Sequence, residues 1–182
     1  MTMNLKKQKA DYLLLNMGLV EELSRFGEVH TVGSCRTGLM ATNDIDLYVD
    51  NSAMSLELLH ELTVFILNTF KPVWYEAKEE YSPDGDTIYF HGFETVISGE
   101  RWNFDIWFFD KKTIMEAEEL CSRIEREIID YPAKKDAVLE IKNFLITKGL
   151  YSYDKFTGMD VYRAVFDENI ITLNAFIKKY EL

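Results

Sequence analysis

The chain has 182 residues, with hydrophobic residues at 47% and charged residues at 28%, enough for one domain or a small domain with an appended helical one. Lys and Arg number 20 against 31 Asp and Glu, a net charge of -11, which repels long polyanions and disfavours a nucleic-acid partner. Two cysteines without CxxC spacing argue against a disulfide framework or structural zinc and for a reducing, cytoplasmic setting; no run approaches the roughly 20 apolar residues of a membrane span.

Residues 5 to 26 place Ala10, Leu13, Met17, Val20 and Leu23 at helical spacing, with Gly27 as a stop. The strand "EVHTV" follows, then a turn and short helix within 33 to 42, then the strand "DIDLYV". Residues 55 to 70 read as a helix with Leu56, Leu59, Thr63 and Ile66 on one face. The segment from Val73 to Ile97 reads as two strands joined at Asp84-Gly85, because Asp-Gly supplies the positive-φ residues of a tight hairpin. "RWNFDIWFF" is a further strand. Beyond it the pattern turns helical: Thr113 and Glu116 fit a capping box ahead of the stripe Ile114, Ala117, Cys121, Ile124 and Ile128. Pro132 opens another helix ending near Gly149, and two shorter helical segments fill 158 to 180. The expected architecture is α+β: a mixed or antiparallel sheet core over 1–110 with helices on one face, then a helical segment over 111–182 packing on or near the cleft.

Strand alternation puts Asp44, Asp46 and Tyr48 on one face and Ile45, Leu47 and Val49 on the other. The same parity separates Arg101, Asn103, Asp105 and Trp107 from Trp102, Phe104, Ile106 and Phe108. If the strands are neighbours with their apolar faces on one helix layer, three carboxylates converge. Such charges repel by roughly 4 kcal/mol per pair at 4 Å and an effective dielectric near 20, so the cluster must protonate or bind a cation. Oxygen donors without histidine or thiolate select magnesium or manganese, and magnesium completes its shell with water and substrate phosphate. Upstream, Gly33 permits close backbone approach, Ser34 offers a hydroxyl and an amide, and Arg36 can add a charge-assisted phosphate contact. A phosphate-binding turn beside a metal-binding cluster is the equipment of phosphoryl or nucleotidyl transfer.

"VGS", nine residues, "DIDLYV" and the later "NFDIWF" resemble the signature of the DNA polymerase beta-type nucleotidyltransferase superfamily, over roughly residues 28 to 110. The resemblance implies that Asp44 and Asp46 hold magnesium, with Asp105 completing the catalytic metal site and accepting the proton of the incoming hydroxyl. Some small-molecule members use a separate carboxylate as base, which the sequence does not locate. Gly33 and Ser34 would bind the triphosphate of a nucleoside triphosphate such as ATP, and pyrophosphate would be released. The acidic balance favours a small-molecule or protein acceptor. The alternatives are an RNA-end nucleotidyltransferase and a non-catalytic nucleotide-binding module of the same fold.

Blander readings compete at each position. Asp44 and Asp46 could lie on a merely solvated strand face; an EF-hand fails because Leu47, Tyr48 and Val49 replace its ligands and glycine. Leu39 and Met40 stand where a P-loop needs Lys and Ser or Thr. A glycosidase pair or the Asp-x-Asp of a glycosyltransferase leaves the Gly-Ser turn unexplained. Cys35 reads as a small side chain filling a turn, and His30, His60 and His91 as structural. Arg101 either balances an acid or touches phosphate, and Trp107 either packs in the core or stacks on a base or acceptor ring. Lys134, Lys135 and Lys142 read either as a solvated helix face, the blander choice, or as leaning from the tail toward the triphosphate.

Overall fold

The computed structural model describes residues 5–82 and 85–182. In chain order the elements are α1 (Leu5–Asn16), α2 (Leu19–Leu23), β1 (Val29–Val32), α3 (Gly33–Thr37), β2 (Asp44–Asp50), α4 (Leu56–Phe70), β3 (Trp74–Tyr81), β4 (Thr87–Ile97) and β5 (Glu100–Phe109). There follow α5 (Lys111–Asp130), α6 (Pro132–Thr147), α7 (Gly158–Tyr162), a π-helical turn over Arg163–Asp167, and α8 (Leu173–Tyr180).

The five strands form one mixed sheet in the order β1-β2-β5-β4-β3. β1 is antiparallel to β2, β2 is parallel to β5, and β5, β4 and β3 form an antiparallel meander. The two acid-bearing strands are therefore neighbours, with Asp46 directly opposite Asp105 and Asp44 opposite Asn103. Parity holds on both: Ile45, Leu47, Val49, Phe104, Ile106 and Phe108 are fully buried, while Asp44, Asp46 and Asp105 are partly exposed on the other face. Asp84 of the hairpin lies outside the described residues; Gly85 has φ 88°, and β3 and β4 pair antiparallel up to Tyr81 and Thr87.

The apolar sheet face packs under α1, α2 and α4 in one hydrophobic cluster that includes Leu13, Leu23, Leu62, Phe70, Phe93 and Phe104. A second cluster joins Leu39 to the tail through Ile124, Val138, Ile141, Val161 and Phe176.

Three local expectations change. The amino-terminal helix is two helices, because Gly18 takes φ 72° and breaks the ladder. The buried face of α4 is Leu59, Leu62, Ile66 and Phe70, whereas Leu56 is exposed at the first turn. The cap of α5 is Asp110 rather than Thr113: its carboxylate accepts from the amides of Lys112 and Thr113, at 2.8 and 3.1 Å, so the helix starts earlier than the Thr-x-x-Glu pattern.

Candidate active site

The parallel pairing of β2 and β5 creates the acid cluster. Residues in register share a face, so Asp46 and Asp105 stand side by side and Asp44 sits one pleat before them. One carboxylate oxygen from each lies within 4.8 Å of the others. Asn103 donates from Nδ2 to Oδ1 of Asp44 at 2.7 Å, fixing that carboxylate.

The turn after β1 closes against the same carboxylates. Gly33 has φ 61°, and a Cβ built there would fall 2.5 Å from Oδ2 of Asp46. The glycine is thus required twice, for its left-handed backbone and for the space taken by Asp46. Ser34 and Gly33 line a cavity of about 280 Å³ together with Asp44, Asp46 and Tyr48. The tail supplies its other wall, including Cys121 from α5, Lys142 from α6, and Tyr151, Thr157 and Tyr162.

The acid cluster, of which Asp44 and Asp46 line this cavity and Asp105 does not, is charge-strained. Burial first, then the Asp44 and Asp105 carboxylates, pushes the Asp46 carboxyl up to about 8, and Lys142 works against that shift. Burial and Asp44 raise Asp105 to about 6, opposed by Asn103. Asp44 is also raised by burial, with its Asn103 hydrogen bond and Lys142 opposing. Three oxygen donors in reach of one another, short of positive charge and without histidine or thiolate, fit a hard divalent cation.

Of the two readings of Lys142 the solvated helix face fails: the residue is only 2% exposed and lines the cavity. Its ammonium donates to the Leu39 carbonyl at 3.2 Å and to the Tyr162 hydroxyl at 3.1 Å, and it lies 4.5 Å from the Tyr162 ring centroid. Burial lowers it to about 8, while Asp46 and Asp44 hold its proton on. The available signal was its position between Val138, Ile141 and Leu145, all on the buried face of α6. Lys134 instead pairs with Glu127.

Arg36 is not gathered with the other candidates. Its guanidinium bridges to Glu118 and Glu125 and donates to Ser122 Oγ, all on α5, and it is absent from the cavity lining. Arg101 pairs with Glu94 at 2.7 Å, not with Asp105. Cys35 is buried, and its thiol is pushed up to about 12 by desolvation, as befits a packing residue. Trp107 stands on the acid face, stacked on Phe109 with centroids 5.3 Å apart.

The mixed α+β fold matches that of solved nucleotidyltransferase structures. No protein-family model matches the chain, and no curated protein sequence matches it. Among solved structures it is similar to a cytoplasmic RNA terminal U-transferase, at TM-score 0.56 and 18% identity, covering 88% of this chain and 44% of that one. It is similar to the Cid1 poly(U) polymerase, at TM-score 0.57 and 20% identity over 84% of this chain and 46% of that one. A third is the non-canonical poly(A) polymerase complex GLD-2–GLD-3, at TM-score 0.60 and 13% identity over 99% and 59%. The chain spans about half the length of these structures.

Proposed function

We propose that the chain is a metal-dependent nucleotidyltransferase that moves a nucleoside monophosphate from a nucleoside triphosphate to a hydroxyl at the end of an RNA, with release of pyrophosphate. The observation that carries this reading is the convergence of Asp44, Asp46 and Asp105 beside Gly33 and Ser34. The RNA end is supported by the structural neighbours, named as an RNA terminal U-transferase, a poly(U) polymerase and a poly(A) polymerase. The charge-based expectation against nucleic acid finds no support among them, since net charge describes the whole surface and an acceptor end meets only one part of it.

Asp44, Asp46 and Asp105 would hold magnesium or manganese, which when bound supplies charge to polarise the phosphate and stabilise the leaving pyrophosphate. The chain's own residues then divide the remaining work. Gly33 and Ser34 bind phosphate oxygens through amides and a hydroxyl. Lys142 places a desolvated positive charge in the same cavity, favouring an anionic ligand there. Asp105, whose carboxylate stands beside those of Asp44 and Asp46, accepts the proton of the attacking hydroxyl.

A small-molecule or protein acceptor is the second reading, favoured by the net charge of -11. The test is transfer of labelled nucleotide from each common nucleoside triphosphate to single-stranded RNA, amine-bearing small molecules and protein. Metal-dependent transfer to an RNA 3′ end supports the first reading, and transfer only to the other acceptors replaces it with the second. Failure of the wild type to bind any nucleoside triphosphate with metal removes both.

A further inference from the structure

The acid face of the sheet continues beyond Asp105 onto β4 and β3, away from the cavity roofed by the tail. The residue paired with Asp105 on β4 is Gly92, and the residue paired with Gly92 on β3 is Glu76. Gly92 carries no side chain, and rings from both flanks converge on it. A Cβ there would fall 2.6 Å from Cζ of Phe90 and 3.0 Å from Cζ3 of Trp74. The Phe90 ring leans in turn on Trp107, with centroids 4.4 Å apart, and Trp107 stacks on Phe109. Trp74 is the outermost ring of this row and is 45% exposed, whereas Phe90 is buried. The helix α4 covers β3 and β4 from the opposite face, where Thr63 meets Tyr75. A half-exposed indole therefore reaches over the strand next to Asp105 with no packing need for its outer surface.

The charges around the row specify how a ligand can be held. Lys78 is committed to Glu76 and Glu80, and Arg101 to Glu94. No other lysine or arginine among the described residues of β3, β4 and β5 sits on this face. Among the described residues these three strands offer a nucleic-acid backbone no unpaired cation on this face, but every nucleobase has a π-face, and aromatic stacking holds single strands without sequence preference. We infer that Trp74, backed by Phe90 and Trp107, is the stacking platform for a base at the 3′ end of a single-stranded RNA acceptor, placing its hydroxyl toward Asp105. This rests on the RNA-end reading of the acid site. It also accommodates the net charge of -11, because recognition through a base does not require many phosphate contacts.

The experiment measures equilibrium binding of a fluorescent single-stranded RNA, without turnover, to wild type, Trp74→Ala and Trp74→Phe, each with an intact and an abasic 3′-terminal nucleotide. Magnesium-dependent binding of ATP and UTP is measured in parallel. Trp74→Ala should weaken RNA binding by about tenfold, the range of one lost base stack, and Trp74→Phe should recover most of it. Removing the terminal base should cost wild type a similar factor and cost Trp74→Ala little more. Affinity should change by less than about threefold between 50 and 200 mM salt, far below the response of a phosphate-binding surface. Equal RNA affinity in wild type and Trp74→Ala overturns the platform, as does steep salt dependence. Wild type that binds nucleotide with magnesium yet shows no RNA binding overturns it too while leaving the acid site intact. Loss of metal-dependent nucleotide binding would instead strike the underlying reading.

Discussion

A Cβ on Gly33 would sit 2.5 Å from Oδ2 of Asp46, so the turn that ends β1 and the carboxylate on β2 occupy adjoining space with nothing to spare. Gly33→Ala should cost about 1–2 kcal/mol from its positive φ alone and push Asp46 out of the cluster. The expected result is a lowered melting temperature together with manganese binding weakened by about 10- to 100-fold. Gly85, also at positive φ but with nothing near its missing Cβ, is the control: Gly85→Ala should lower stability without touching metal affinity.

The acid cluster should make the metal-free protein less stable as pH rises. Asp46 binds its proton more tightly folded, up to about 8, than an ordinary carboxyl near 3.8, and Asp105 behaves likewise up to about 6. The folded state is therefore favoured below about pH 4, and the penalty grows through pH 6 and is complete above pH 8. Asp46→Asn should remove most of this slope and raise the melting temperature at pH 8 by several degrees, about 2–4 °C per kcal/mol for a chain of this size. Magnesium should stabilise wild type at pH 8 and leave the variant nearly unmoved. Thermal melts at pH 5, 6.5 and 8, with and without magnesium, check both statements.

His91 should act in the opposite direction. It is fully buried, its Nδ1 meets the Tyr75 hydroxyl at 2.9 Å, and its Nε2 has no partner among the described residues. Burial holds it down at about 4, below the ordinary 6.5. The unfolded chain takes up this proton before the folded one does, so stability falls from pH 6.5 toward pH 4, by up to about 3 kcal/mol. Urea unfolding of His91→Gln should show a smaller acid loss than wild type.

Lys142 should govern nucleotide affinity more than folding. Lys142→Met keeps the packing of the stem on α6 but removes the one lysine or arginine among the described residues of the cavity wall, so nucleoside triphosphate binding should weaken by about 10- to 100-fold, the worth of one charge-assisted contact at about 1.5–3 kcal/mol. Arg36→Ala should behave in reverse. Its guanidinium ties α3 to Glu118 and Glu125, so stability should fall by about 1 kcal/mol while nucleotide affinity changes by less than about threefold. Nucleotide titrations and melts on the two variants separate these roles.

Alternation along "DIDLYV" and "RWNFDIWFF" was enough to place the acids and the core on opposite faces, because period-two burial is a local property of a strand. The adjacency of those strands was an assumption, and it became a fact only through the parallel register of Asp46 with Asp105. The burial of Lys142 was legible in its place among Val138, Ile141 and Leu145, but its partners were not, being a carbonyl 103 residues away and a tyrosine in the next helix. The ion pairs of Arg36 were hidden for the same reason: nothing near it in sequence reveals that α5 brings three partners to its guanidinium. Gly18 and Asp110 were misread although their signals are local, a glycine inside a helical run and an Asx residue before one.

The central claim is tested most directly by incubating wild type and Asp46→Asn with labelled nucleoside triphosphate, magnesium and a single-stranded RNA, and following both extension of the 3′ end and pyrophosphate release. The account predicts equimolar extension and pyrophosphate in wild type, abolition by chelation, and a loss exceeding about 100-fold in Asp46→Asn. Transfer that proceeds at the same rate in Asp46→Asn, or in the absence of divalent metal, would contradict it.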